Sequence, residues 1–213
     1  MKSNNKLVKK VIGVKVNRAK SSAAKSKSPK IAILAWGSLL TNNVKFNNPI
    51  VEKWLPNGPE VKLEFSRISN DGRLTPVIDE KSAVAAPVYY GFSTENSVGK
   101  AVKAFSRLEG ISEERISVLN AKESKANKCS ERHAQTTQEI YNWAMENNID
   151  AVIWNGLGRK FKEKVGSSFT VERAIAYYNS MDKKLKTAFV KYVKALPKEV
   201  KTPFRDSLTR LVG

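Results

Sequence analysis

The sequence predicts a mixed α+β fold with a mainly antiparallel sheet, and three observations predict it. Two continuous apolar runs of strand length, Ile31-Ala32-Ile33-Leu34-Ala35-Trp36 and Ala151-Val152-Ile153-Trp154, read as strands buried on both faces. Between them an alternating segment turns back on itself around Asp71-Gly72, which is an antiparallel hairpin signal. Helical stripes separate these strands at irregular intervals, so a regular parallel α/β arrangement is disfavoured.

Taken in order, the chain opens with Lys, Ser, Asn and Ala, ending in Ser26-Lys27-Ser28-Pro29, and residues 1–29 read as a disordered basic tail ahead of one domain over 30–213. The apolar run from Ile31 stops at Gly37-Ser38, as a central strand does. Val61, Leu63, Phe65 and Ile68 then alternate with polar positions, with a slip near Arg67, and Arg73 to Ile78 returns after Asn70-Asp71-Gly72. Ala83 to Phe92 reads as one further strand. Ser93-Thr94-Glu95 is a candidate cap for a helix reaching about Leu108, with Val98, Val102 and Phe105 on one face. A helix from about Ser130 to Glu146 leads into the second buried strand, which ends at Asn155-Gly156. Two more helices follow: one after Ser168-Phe169-Thr170, and one from Lys183 to Leu196 with Leu185, Phe189 and Tyr192 at helical spacing, which Pro197 terminates.

Composition narrows the function classes. With 213 residues, 41% of them hydrophobic and 8% aromatic, the chain supports one sizeable core. The 38 basic and 20 acidic residues give a net charge of +18, but residues 1–30 hold ten of the basic residues and no acid. The folded part is therefore moderately basic, about +8, and the tail is either a polyanion-binding extension, for nucleic acid or anionic membrane, or a solvated leader with no specific partner. No apolar run approaches the ~20 residues of a transmembrane helix. The lone Cys129 excludes an intrachain disulfide framework and fits a reducing, cytoplasmic setting. Cys129 and the lone His133 supply only two of the four ligands of a Cys/His zinc site, so no metal or other cofactor is expected, and Cys129 reads as a surface thiol near a helix end.

The residues with chemical potential gather at the ends of the buried strands. A glycine right after a strand brings successive N–H groups within reach of a ligand, so Trp36-Gly37-Ser38-Leu39 is a candidate floor for a small-molecule pocket that binds a carboxylate or an oxyanion, against the alternative of an ordinary turn. Arg67 and Arg73 flank the hairpin turn and suit bidentate carboxylate binding. Arg67, at the slip in alternation, is the one expected to turn inward. Trp154 reads as core, and Asn155 as a lining residue of the same cleft.

The strand ending in Trp36-Gly37-Ser38-Leu39 resembles the signature loop of the γ-glutamylcyclotransferase-like superfamily, where the strand ends in Tyr-Gly-Ser. Glu64-Phe65-Ser66-Arg67-Ile68-Ser69, Asp71-Gly72-Arg73-Leu74-Thr75, Ala151-Val152-Ile153-Trp154, Leu196-Pro197 and Thr202-Pro203-Phe204-Arg205 resemble an uncharacterised bacterial branch of it, over residues 31 to about 210. The resemblance implies a mixed sheet or small barrel with packed helices. It also implies an activity: intramolecular aminolysis of a γ-glutamyl amide, with a helix-end glutamate as acid/base. Glu109 in Arg107-Leu108-Glu109-Gly110 is the candidate, although relatives place the Arg-Glu pair without the intervening Leu108. Trp36 in place of tyrosine loses a hydroxyl and enlarges the apolar wall, which implies a substrate other than the usual γ-glutamyl amine. The alternative is a noncatalytic small-metabolite-binding protein tethered by its basic tail.

Overall fold

The computed structural model describes residues 28–41 and 50–213. The basic tail expected over 1–29 falls almost wholly outside the described residues. The elements in chain order are β1 (Ile31–Ala35), β2 (Glu60–Ile68), β3 (Leu74–Ile78), β4 (Val84–Pro87), β5 (Tyr89–Phe92), α1 (Val98–Glu109), β6 (Ile116–Asn120) and β7 (Lys125–Ala126). There follow α2 (Lys128–Glu131), α3 (Ala134–Glu146), β8 (Ala151–Asn155), α4 (Phe161–Val165), α5 (Val171–Ser180), α6 (Lys183–Ala195) and α7 (Pro203–Val212).

The fold is mixed α+β, with two mainly antiparallel sheets. One has five strands in the order β5-β1-β8-β6-β7 and the other three in the order β3-β2-β4. Among the described residues the sheets do not close into a barrel. Only β1 and β8 run parallel, with Ile33 opposite Ile153, so both strands end two residues further on, at Ala35 and Asn155. Two loops therefore leave side by side, and a crevice outside the carboxyl ends of adjacent parallel strands is where ligands bind in open sheets.

The two apolar runs are buried on both faces, as expected. Ala32 and Leu34 pack with Trp154 in the core between the sheets, whereas Ile31 and Ile33 pack on the opposite face with Phe105 of α1. A third core joins Phe65 of β2 to Phe189 of α6 and Phe204 of α7, with ring centroids 5.2–6.2 Å apart. Each such buried ring contributes roughly 2–3 kcal/mol of hydrophobic stabilisation.

The hairpin forms where Asp71-Gly72 places it. Gly72 takes φ 84°, a left-handed conformation that suits glycine, and Tyr177 donates to its carbonyl at 2.9 Å. The slip near Arg67 is a β-bulge. Between the Glu64↔Val77 and Arg67↔Thr75 pairs β2 advances three residues and β3 only two. Phe65 and Ile68 consequently share one core although they stand three apart.

Four expectations need correction. Ala83 to Phe92 is not one strand: β4 pairs with β2 and β5 pairs with β1, so the chain passes between sheets at Val88. The cap of α1 is Ser97, whose side chain accepts from the Lys100 amide, and not Ser93-Thr94-Glu95. The helix expected from Ser130 to Glu146 is broken. Asn127 caps the short α2, and His133, whose backbone is not helical, precedes α3. Cys129 is buried at 2% exposure, against Gly156, because α2 lies across β6. Among the described residues no helix is long and apolar enough to cross a membrane.

Candidate functional site

A cavity of about 620 Å³ opens at the ends of β1 and β8. Trp36, Gly37, Ser38 and Leu39 form one side of it, Arg67 and Arg73 come from the hairpin, and Glu109 and Asn155 come from the ends of α1 and β8. Every residue singled out from the sequence for the pocket thus lines one cavity. Trp154 does not. It is fully buried in the core, as the sequence suggested.

Local structure explains each placement. Trp36 is 5% exposed and its indole Nε1 donates to the Pro76 carbonyl at 3.2 Å, so it ties the end of β1 to the edge strand β3 of the other sheet. It is a brace as well as a wall. After Gly37 the chain winds into one 3-10 turn, Ser38–Leu40, closed by bonds from the Leu40 amide to Gly37 and from the Thr41 amide to Ser38. The N–H groups of Ser38 and Leu39 stand at the start of that turn, so neither has a partner within it. The cap position of that turn is Gly37, so no side chain caps it.

Glu109 is the last residue of α1, and Gly110 ends the helix in a left-handed conformation. Its carboxylate accepts from Asn155 Nδ2 at 2.7 Å. Asn155 is oriented by its own carbonyl oxygen, which accepts from the Leu157 amide at 2.9 Å and turns the amide nitrogen toward Glu109. Desolvation in this half-buried place raises the Glu109 pKa above the ordinary carboxylate range, and the Asn155 hydrogen bond partly offsets that rise. The intervening Leu108 packs against the α1 core while Arg107 is exposed, so the departure from the Arg-Glu pattern puts arginine in solvent and glutamate in the cavity.

Among the further lining residues that the sequence did not single out for the pocket are Tyr192, Arg115 and Lys160. Tyr192 belongs to the apolar stripe of α6, and nothing in that stripe distinguishes a ring that packs from a ring whose hydroxyl reaches a cavity. Its hydroxyl lies 3.5 Å from where a Cβ on Gly37 would be, and the Arg73 guanidinium lies over its ring at 5.3 Å. Burial raises its pKa well above that of free tyrosine, so it is a neutral donor. This returns to the loop a hydroxyl that Trp36 lacks. Arg115 comes from the polar Ser112-Glu113-Glu114-Arg115 turn, which has no periodicity to follow. The slip at Arg67 was the one legible sign of an inward basic residue.

The chemical resources are therefore a desolvated carboxylate held by one amide, a phenol, N–H groups at a strand end that have no partner within their turn, and several cations. Comparison of the chain with protein-family models, with curated proteins and with solved structures returned no match to any of them.

Proposed function

We propose that this chain is a γ-glutamylcyclotransferase-like enzyme that converts a small γ-glutamyl amide, or a related amine-bearing metabolite, into a cyclic amide and a free amine. The observation that carries the reading is that the raised-pKa carboxylate of Glu109 and the Gly37-Ser38-Leu39 loop line one cavity. Glu109, ionised, takes a proton from the substrate's α-ammonium group. The freed amine attacks the γ-carbonyl carbon, forming the ring C–N bond. The resulting oxyanion is stabilised by N–H groups of the loop and by the Tyr192 hydroxyl. On collapse the original amide C–N bond breaks and protonated Glu109 gives its proton to the departing amine; the extra proton on the ring nitrogen then passes through the regenerated carboxylate to the same amine, leaving 5-oxoproline and an ammonium product. Partial burial suits this double duty, because a base must also be an acid one step later.

The test is incubation with glutathione and a panel of γ-glutamyl amines and amino acids, measuring 5-oxoproline. Formation from at least one, lost in Glu109→Gln, supports the reading; no product from any of them overturns it. Binding without product would instead favour a noncatalytic metabolite-binding pocket.

A further inference from the structure

The proposed chemistry leaves two of the cavity's cations without a task. Four basic side chains line it: Arg67, Arg73, Arg115 and Lys160. Arg73 is neutralised by Asp71, with contacts of 2.6 and 2.7 Å, and Lys160 has Glu163 at 3.9 Å. Arg67 and Arg115 form no ion pair among the described residues.

Burying a guanidinium without a counter-charge is unfavourable, and Arg67 is only 9% exposed. It spends one donor, Nη1, on the Gly158 carbonyl at 2.9 Å, out of the five N–H donors of a guanidinium. After desolvation, the neighbouring Arg115 charge is the largest influence lowering its pKa, and the smaller opposing influence is Glu163, which already faces Lys160. Both arginines are anchored to the segment after β8, since the Arg115 carbonyl accepts from the Gly156 amide at 3.0 Å while Arg67 holds Gly158. The β2 bulge brings Arg67 there. Two like charges thus line a cavity whose carboxylate, Glu109, is already bonded to Asn155. An anionic group seated between them would relieve the repulsion and use the spare donors.

We propose that Arg67 and Arg115 form an anion subsite for an acidic group on the substrate, a carboxylate or a phosphate, separate from the Gly37-Ser38-Leu39 loop. The substrate class is then an anionic metabolite, a carboxylate or a phosphate ester. This rests on the reading of the cavity as the substrate site, but not on the cyclisation chemistry.

The experiment titrates the full chain with inorganic phosphate and, separately, with glutarate, following calorimetric heat and the thermal midpoint at constant ionic strength. Saturable binding of at least one is expected, phosphate pointing to a phosphorylated metabolite and glutarate to a carboxylate. Arg115→Gln, at an exposed position that leaves the fold intact, is expected to weaken it about tenfold or more, and Arg67→Gln at least as much. Lys183→Gln, at an exposed position at the start of α6 that does not line the cavity, should change nothing. Absence of saturable binding by either anion, or binding equal in Arg115→Gln and the parent, overturns the subsite. Turnover of a γ-glutamyl compound without anion binding would refute the subsite alone. Anion binding without any 5-oxoproline would refute the reaction alone.

Discussion

Two glutamates are withdrawn from water in this protein, and their surroundings differ in the one respect that separates structure from chemistry. Glu64 on β2 is fully buried. Its carboxylate accepts from the Phe65 amide at 2.7 Å, from the Phe204 amide at 3.3 Å and from the Thr202 side chain, so it closes the N-terminal end of α7. Glu109 has one donor and a cavity in front of it. Burial raises both pKa values, that of Glu64 to about 7, so a perturbed carboxylate alone does not mark a site. What marks it is spare acceptor capacity facing space that a ligand can enter.

The comparison breaks most easily by exchanging each acid for its amide. Glu109→Gln should lower 5-oxoproline formation by about 10²–10⁴-fold, the usual worth of a general acid/base, with the fold unchanged. Glu64→Gln should leave turnover within about threefold, because its effect is confined to a helix end. Equal losses in steady-state assays of the two variants would erase the distinction.

Stability should report the opposite residue. The folded-state pKa of Glu64 is about 7 against an ordinary value of 4.5. Between those values the folded chain binds a proton that the unfolded chain has released. Stability therefore falls as pH rises through this window, by about 3 kcal/mol in all. Urea unfolding at pH 5, 6, 7 and 8 should show the decline, and Glu64→Gln should flatten most of it. Glu109 contributes in the same sense, so the Glu64→Gln curve keeps a shallower slope. A parent whose stability rises over this range would contradict the assignment.

A smaller effect sits behind the site. Gly156 follows Asn155, and a Cβ there would overlap the Cys129 sulfur, with Ser117 Oγ at 2.6 Å and the Arg115 carbonyl at 2.9 Å. Gly156→Ala should destabilise by about 1–3 kcal/mol, as overpacking does. Denaturant midpoints measure that cost. The same shift displaces Asn155 and Arg115, so turnover should fall while the pH dependence due to Glu64 persists.

The contrast between the two glutamates also shows what was legible in the sequence. The strand runs, the Asp-Gly hairpin and the helical stripes depend on local periodicity, and they predicted β1, β8, the hairpin, α1 and α6. The loop residues Trp36 to Leu39 and Asn155 are legible because strand ends are visible in sequence, Glu109 is singled out only by the family resemblance, and these positions meet in space. Glu64 stands among the polar positions of an alternating strand, and nothing local marks it as interior. The partner that makes it an interior cap, the Phe204 amide, lies 140 residues away. The split of Ala83 to Phe92 between two sheets, and the entry of Tyr192 and Arg115 into the cavity, likewise depend on tertiary contacts that leave no local pattern.

The finest test of the comparison lies in the number of donors. Glu64 has three, so removal of one leaves a satisfied carboxylate; among the described residues Glu109 has only Asn155 Nδ2. Asn155→Ala deletes the bond that lowers the Glu109 pKa, so that pKa should rise further and the acid limb of the pH–rate profile should move to higher pH. Turnover at pH 7 should fall about tenfold, matching ~1.4 kcal/mol for a hydrogen bond to a charged group, and should recover as pH is raised. Recovery is the discriminating outcome, because it identifies Asn155 as a positioning residue acting through the carboxylate. If Asn155 instead held the substrate directly, KM would rise at every pH and alkali would restore nothing.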